Sequence, residues 1–207
     1  MAHLNTDDDM LVQLLVARRL QEQRDILDAI RDSGLVAQVG RVAVEVASRV
    51  RLGAKVLFFG NGGSSADAAH LAAELMGRFY VDRKPLPALS LADSVAALTA
   101  IANDYSYGDV FSRQLEGLAQ RGDVAIGLST SGNSDNVVHA LESARKLGLY
   151  TIALTGESGG AVKRVVDECI RVPTADTPRV QEACMHLGHT LCELVEELAT
   201  SELSTAR

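Results

Sequence analysis

The chain has 207 residues, 47% hydrophobic and 23% charged, which suits one large globular domain and excludes a disordered or fibrous class. A net charge of -7 excludes a basic footprint for nucleic acid or anionic lipid, and 4% aromatics without Trp argue against base stacking. Three cysteines, Cys169, Cys184 and Cys192, form no CxxC pair and read as free, buried thiols of a reducing compartment.

In chain order, "MAHLNTDDDM" lacks a cationic region followed by an apolar one, and its acidic residues are the stretch most expected to be disordered. No apolar run approaches membrane-spanning length. A cytoplasmic protein without a membrane partner is expected. Residues from about 11 to 52 carry apolar side chains at helical spacing in two stretches, so two amphipathic helices precede the first strand. The period then changes. "KVLFFG", "LPALSL", "DVAIGLST", "LYTIALT" and "ECIRVP" are short apolar runs of the kind that form parallel strands covered on both faces. Helical patterns separate them: Ser64 to Arg78, Ser94 to Asn103 with a second piece from Asp109, Ser134 to Leu147, and a short one from Gly160 to Val166. Strand alternating with helix predicts an α/β fold, a three-layer αβα sandwich around a doubly wound five-stranded parallel sheet. Residues 1–207 form one domain in this reading, with an α/β core from about 55 to 173 and a last helix from about 180 to 200.

Ligands of such sheets sit beyond the carboxyl ends of the strands. Three loops occupy that kind of position. "LSTSGNSDN" offers the hydroxyls of Ser129, Thr130, Ser131 and Ser134 at a helix start, where free N–H groups bind phosphate without a Lys or Arg. The alternative is a plain N-cap by Ser134 or Asp135. "GNGGSS" has the same logic through Asn61, Gly62, Gly63 and Ser64; it is neither GxGxxG nor a Walker loop, and its alternative is a tight turn capped by Ser64. Asn103 and Asp104 in "IANDYSYGD" either stop a helix or bind sugar hydroxyls.

His70 and Glu74 lie one turn apart on a predicted helix, on one face. Gln181, Met185 and His189 recur at four-residue steps on another. His70, Glu74, Gln181 and His189 could converge on a divalent metal, Glu74 and His189 could pass protons, or the residues could be a surface pair and a core histidine. His139 and His186 read as structural.

Taken together, "GNGGSSADAAHLAAELMGR", "AIANDYSYGDVFSRQL", "GDVAIGLSTSGNSDNVVHAL", "IALTGESGG" and "RVQEACMHLGHTLCELVE" resemble the sugar isomerase (SIS) superfamily, whose fold is flavodoxin-like, and within it the phosphoheptose isomerases. The resemblance implies interconversion of sedoheptulose 7-phosphate and a manno-heptose 7-phosphate through an enediol, on the way to nucleotide-activated heptose. It places substrate contacts at Asn61, Gly62, Gly63, Asn103, Asp104, Ser129, Thr130, Ser131 and Ser134, and an acid/base pair at Glu74 and His189. It further implies one zinc per subunit on His70, Glu74, Gln181 and His189, and a homotetramer with active sites at subunit interfaces. A non-catalytic relative in the superfamily lacks the counterparts of Glu74 and of the second histidine, both present here. The competing expectations are a sugar-phosphate-binding regulator and an SIS isomerase of another sugar phosphate.

Overall fold

The computed structural model describes residues 6–201. Among them, five parallel strands form one sheet: β1 (Val56–Gly60), β2 (Ala88–Ser90), β3 (Val124–Leu128), β4 (Tyr150–Thr155) and β5 (Glu168–Arg171), ordered β2-β1-β3-β4-β5. Helices α1 (Thr6–Arg31) and α2 (Leu35–Arg51) precede it; α3 (Gly63–Met76), α4 (Val95–Asp104), α5 (Ser112–Leu118) and α6 (Asp135–Leu147) lie between strands; α7 (Thr177–Thr200) closes the chain.

Alternation along β1 divides the core. Val56 and Phe58 join α2, α3 and α7 on one face, through Val42, Val46, Leu71, Leu75, Leu187 and Leu191. Leu57 and Phe59 join Val110, Phe111, Leu115, Val137 and Leu141 of the α5 and α6 layer. Burying a phenylalanine contributes about 1.5–3 kcal/mol, so Phe58 and Phe59 fasten the two layers to one strand. The expected αβα sandwich is observed.

Several boundaries differ from the sequence expectation. Residues 1–5 lie outside the described residues, but the acidic run expected to be disordered is otherwise helical, since α1 begins at Thr6. Asp8 and Asp9 there complement the positive end of the helix dipole. Strand β2 shrinks to three residues because Pro85 and Pro87, just before it, cannot donate to a ladder. The short helix near residue 160 is a single 3-10 turn, Val162–Arg164. Helix α7 starts three residues early, with Pro178 in its first turn, where a missing N–H costs nothing.

The strand order reverses at β1, whose neighbours are β2 on one side and β3 on the other. The loops leaving β1 and β3 therefore flank the crevice where such sheets bind ligands.

Candidate active site

Helices α3 and α7 pack against each other, and the contact is close because Gly188 has no side chain: a Cβ there would lie 2.8 Å from a Leu71 methyl. This approach brings His70 to His189. Their Nε2 atoms are 2.8 Å apart, with ring centroids at 5.0 Å and planes at 76°. His70 Nε2 lies 3.2 Å from Glu74 Oε1, and one ligand atom from each of His70, Glu74 and His189 falls within 4.8 Å of the others. The three residues converge from two helices, and His70 and Glu74 also stand as a partly exposed pair on α3.

This donor set fits a divalent metal. Two imidazole nitrogens and a carboxylate are borderline ligands suited to zinc, with bonds of about 2.0–2.1 Å. Nitrogens bound tetrahedrally at that length sit about 3.3 Å apart, so the observed pair needs to open by only about 0.5 Å.

Gln181 approaches α3 one helical stretch earlier. Its amide covers Gly63, where a Cβ would meet Nε2 at 2.6 Å and Oε1 at 2.7 Å. Asp67 stands beside it, one turn before His70. Burial raises the Asp67 carboxyl above its ordinary value, opposed by the Gln181 amide and by His70. The sequence reading missed Asp67; its signal is the spacing Asp67, His70, Glu74, which places all three along one side of α3.

A buried cation holds the far end of α3. Arg83 donates to the carbonyls of Glu74 at 3.1 Å and Leu75 at 2.9 Å, and its Nε lies 2.8 Å from Glu196 Oε1, near enough to pair electrostatically. Glu196 in turn accepts the N–H groups of Phe79, Tyr80 and Val81 at 2.7–3.0 Å. The Phe79 ring rests 5.8 Å from that of His189. The network anchors the backbone of Glu74 and walls one side of His189.

The loop after β3 turns at Gly132, whose φ of +69° and near contact with Gly159 and Gly160 suit only glycine. Ser134 takes the N-cap position of α6 yet makes no side-chain capping bond; its hydroxyl meets that of Ser129 at 3.1 Å. The Ser131 hydroxyl accepts the Asn133 N–H, and Thr130, just before Ser131, is half-buried. The plain capping alternative is therefore not what the serines do. The same holds after β1: Gly62, at φ +55°, is the N-cap of α3, and no side chain caps it. Ser64 packs against Gly60 instead. Neither helix start has its first N–H groups taken by a side-chain cap.

Asn103 and Asp104 end α4, exposed, with the amide of one donating to the carboxylate of the other at 2.8 Å. They reach neither loop directly, but Tyr107, three residues on, donates to Asn61 at 3.0 Å. All three cysteines are free, as expected, and burial pushes Cys184 and Cys192 up to about 12; Cys169, expected to be buried, is only half-buried at the sheet's edge strand β5. No described helix is long and apolar enough to cross a membrane.

Known proteins are similar to this chain in sequence and fold. Residues 20–156 match the model of the SIS domain. A phosphoheptose isomerase of Aquifex aeolicus is 52% identical over 161 residues, covering 78% of this chain and 84% of its own. One from Aneurinibacillus thermoaerophilus is 44% identical over 183 residues, covering 88% and 92%. The solved structure of a phosphoheptose isomerase from Neisseria gonorrhoeae superposes with a TM-score of 0.85 at 36% identity, covering 90% of this chain and 99% of that one. Identity at this level over nearly whole chains, on the same parallel sheet, places the chain in the SIS-domain family and, within it, among the phosphoheptose isomerases.

Proposed function

We propose that the chain is an aldose-ketose isomerase interconverting sedoheptulose 7-phosphate and D-glycero-D-manno-heptose 7-phosphate. The observation that carries this is the convergence of His70, Glu74 and His189, in a fold whose loops after β1 and β3 start helices that no side chain caps. Family membership narrows the substrate to what the relatives' name states, a phosphorylated heptose.

The reaction moves one proton between C1 and C2 and another between the adjacent oxygens. Glu74 takes the carbon-bound proton, and His189 moves protons at the oxygens and assists ring opening. The loop from Ser129 to Ser134 holds the phosphate with hydroxyls and helix N–H groups, and Asn61, Gly62, Gly63, Ser64, Asn103 and Asp104 hold the sugar. Binding energy from the phosphate is then used to orient C1 and C2. His70, Glu74, Gln181 and His189 would hold one zinc per subunit, which would supply Lewis-acid charge compensation when bound. A carboxylate on zinc is a weaker base, so the two roles of Glu74 compete, and metal dependence decides which is dominant.

The subunit works as a homotetramer in the cytoplasm. Two features support the assembly: Leu11, Leu14, Leu15 and Val16 of α1 are exposed, and an apolar groove of about 410 Å³ lined by Leu27, Val36, Val39, Leu187 and Leu194 lies between α1, α2 and α7. Three free thiols suit a reducing compartment.

The test is an NMR time course of sedoheptulose 7-phosphate with purified protein, after chelation and with zinc restored. Aldose signals that vanish with chelator and return with zinc are expected. A folded protein that binds the substrate and never converts it would favour a non-catalytic sugar-phosphate sensor.

A further inference from the structure

Three loops meet at the carboxyl edge of the sheet, and one cluster of side chains joins them. Asn61 follows β1, Asn136 lies in the first turn of α6 just beyond the hydroxyl-rich loop, and Tyr107 lies in the turn after α4. Asn61 Nδ2 donates to Asn136 Oδ1 at 2.8 Å, and Asn136 Nδ2 donates back to Asn61 Oδ1 at 2.9 Å. The Tyr107 hydroxyl donates to the same Asn61 oxygen at 3.0 Å. Asn136 is only 3% exposed, so its amide is committed to this pairing rather than to water.

An amide oxygen has two acceptor sites and an amide nitrogen two donors. Both acceptor sites of Asn61 are taken within the cluster, and one of its donors is taken by Asn136. What Asn61 offers a ligand is therefore a single N–H, which selects an oxygen acceptor. The pair also fixes a span. Asn136 is carried by the helix that Ser134 begins, so its grip on Asn61 holds the substrate loop at a set distance from the hydroxyl-rich loop.

We propose that Asn136 is a positioning residue that sets the reach between the phosphate-binding loop and the reacting end of the sugar, and hence the carbon-chain length the site accepts. This rests on the isomerase reading above, in which those two loops bind opposite ends of one substrate. Removing one member of a buried amide pair strands the other, which then turns to a new partner.

The experiment compares wild type, Asn136→Ser and Tyr107→Phe with sedoheptulose 7-phosphate and with a six-carbon ketose 6-phosphate. Turnover, calorimetric affinity for each sugar, affinity for inorganic phosphate and the Asn61 side-chain amide signals in 15N NMR are read for each protein. Asn136→Ser is expected to lower kcat for the seven-carbon sugar by about 10–100-fold, the scale of a misplacement near 1 Å. The preference for seven over six carbons narrows, the Asn61 signals move, and inorganic phosphate binds as before. Tyr107→Phe removes one exposed hydrogen bond without endangering the fold, and shifts the same preference by about 3–10-fold. Equal losses for both sugars, or an unmoved Asn61 signal, would overturn the proposal. A wild type that binds both sugars and converts neither would defeat the isomerase reading instead; the ratio of the two affinities, altered or not by Asn136→Ser, would still decide the positioning role.

Discussion

Gly188→Ala places a methyl group at the crossing of α7 and α3. Its Cβ would lie 2.8 and 2.9 Å from the two Leu71 methyls and 3.4 Å from Cγ, where ordinary carbon contacts are about 3.5–4.0 Å. About 1 Å of clearance must be found, and Leu71, at 1% exposure, has no open space to swing into. Alanine gains about 1 kcal/mol in helix propensity over glycine, and overpacking costs about 1–3 kcal/mol. The net is a loss between nothing and about 2 kcal/mol, or a fall in Tm of at most about 8 °C for a chain this long. The site should suffer far more. Leu71 adjoins His70 and Gly188 adjoins His189, so a shift between these turns opens the 2.8 Å approach of the two imidazoles. Displacement of that size costs about 100-fold in rate. Thermal melting and the NMR isomerase assay read the two effects separately. A variant with a raised Tm and wild-type kcat would refute the reasoning, showing that Leu71 repacks and that Gly188 does not govern the approach.

Glu74→Gln keeps the shape and removes the base, so isomerisation and exchange of the carbon-bound proton with deuterated solvent should cease while calorimetry still shows sugar-phosphate binding; substantial residual turnover rules out Glu74 as the base. Burial opposes ionisation of Glu196, yet the N–H groups of Phe79, Tyr80 and Val81, with Arg83, hold its pKa below the ordinary glutamate range. A depressed folded value means that this stabilisation is complete above the ordinary range and is lost as pH falls through the lowered value. Glu196→Gln should therefore melt well below wild type at neutral pH and approach it in acid; a gap independent of pH contradicts the linkage. With Cys184 and Cys192 pushed up to about 12 by burial, a thiol reagent should find at most Cys169 in the native protein and all three after unfolding. Fast labelling of more than one native thiol would count against the described core.

The α/β architecture was legible because its causes are local. A strand covered on both faces must be apolar throughout, as in "VLFFG" and "VAIGL", and the helices between strands repeat with their own period. His70 and Glu74 were legible as a pair for the same reason, since four residues along a helix return to one face. Their convergence with His189 was one open alternative in the residue pattern and was favoured only by the family resemblance, because the partner lies 119 residues away and reaches them only where Gly188 lets two helices close. Hydrogen-bond choices were also settled by packing. Ser134 stands where a capping serine belongs, yet its hydroxyl goes to Ser129, and Asn136, unremarked on an ordinary helix, is the buried partner of Asn61. Sequence alone determined which segments bury and with what period, because those follow from each residue's own chemistry. Tertiary structure decided which polar groups face one another across the crevice, because that depends on how closely the packed layers can approach.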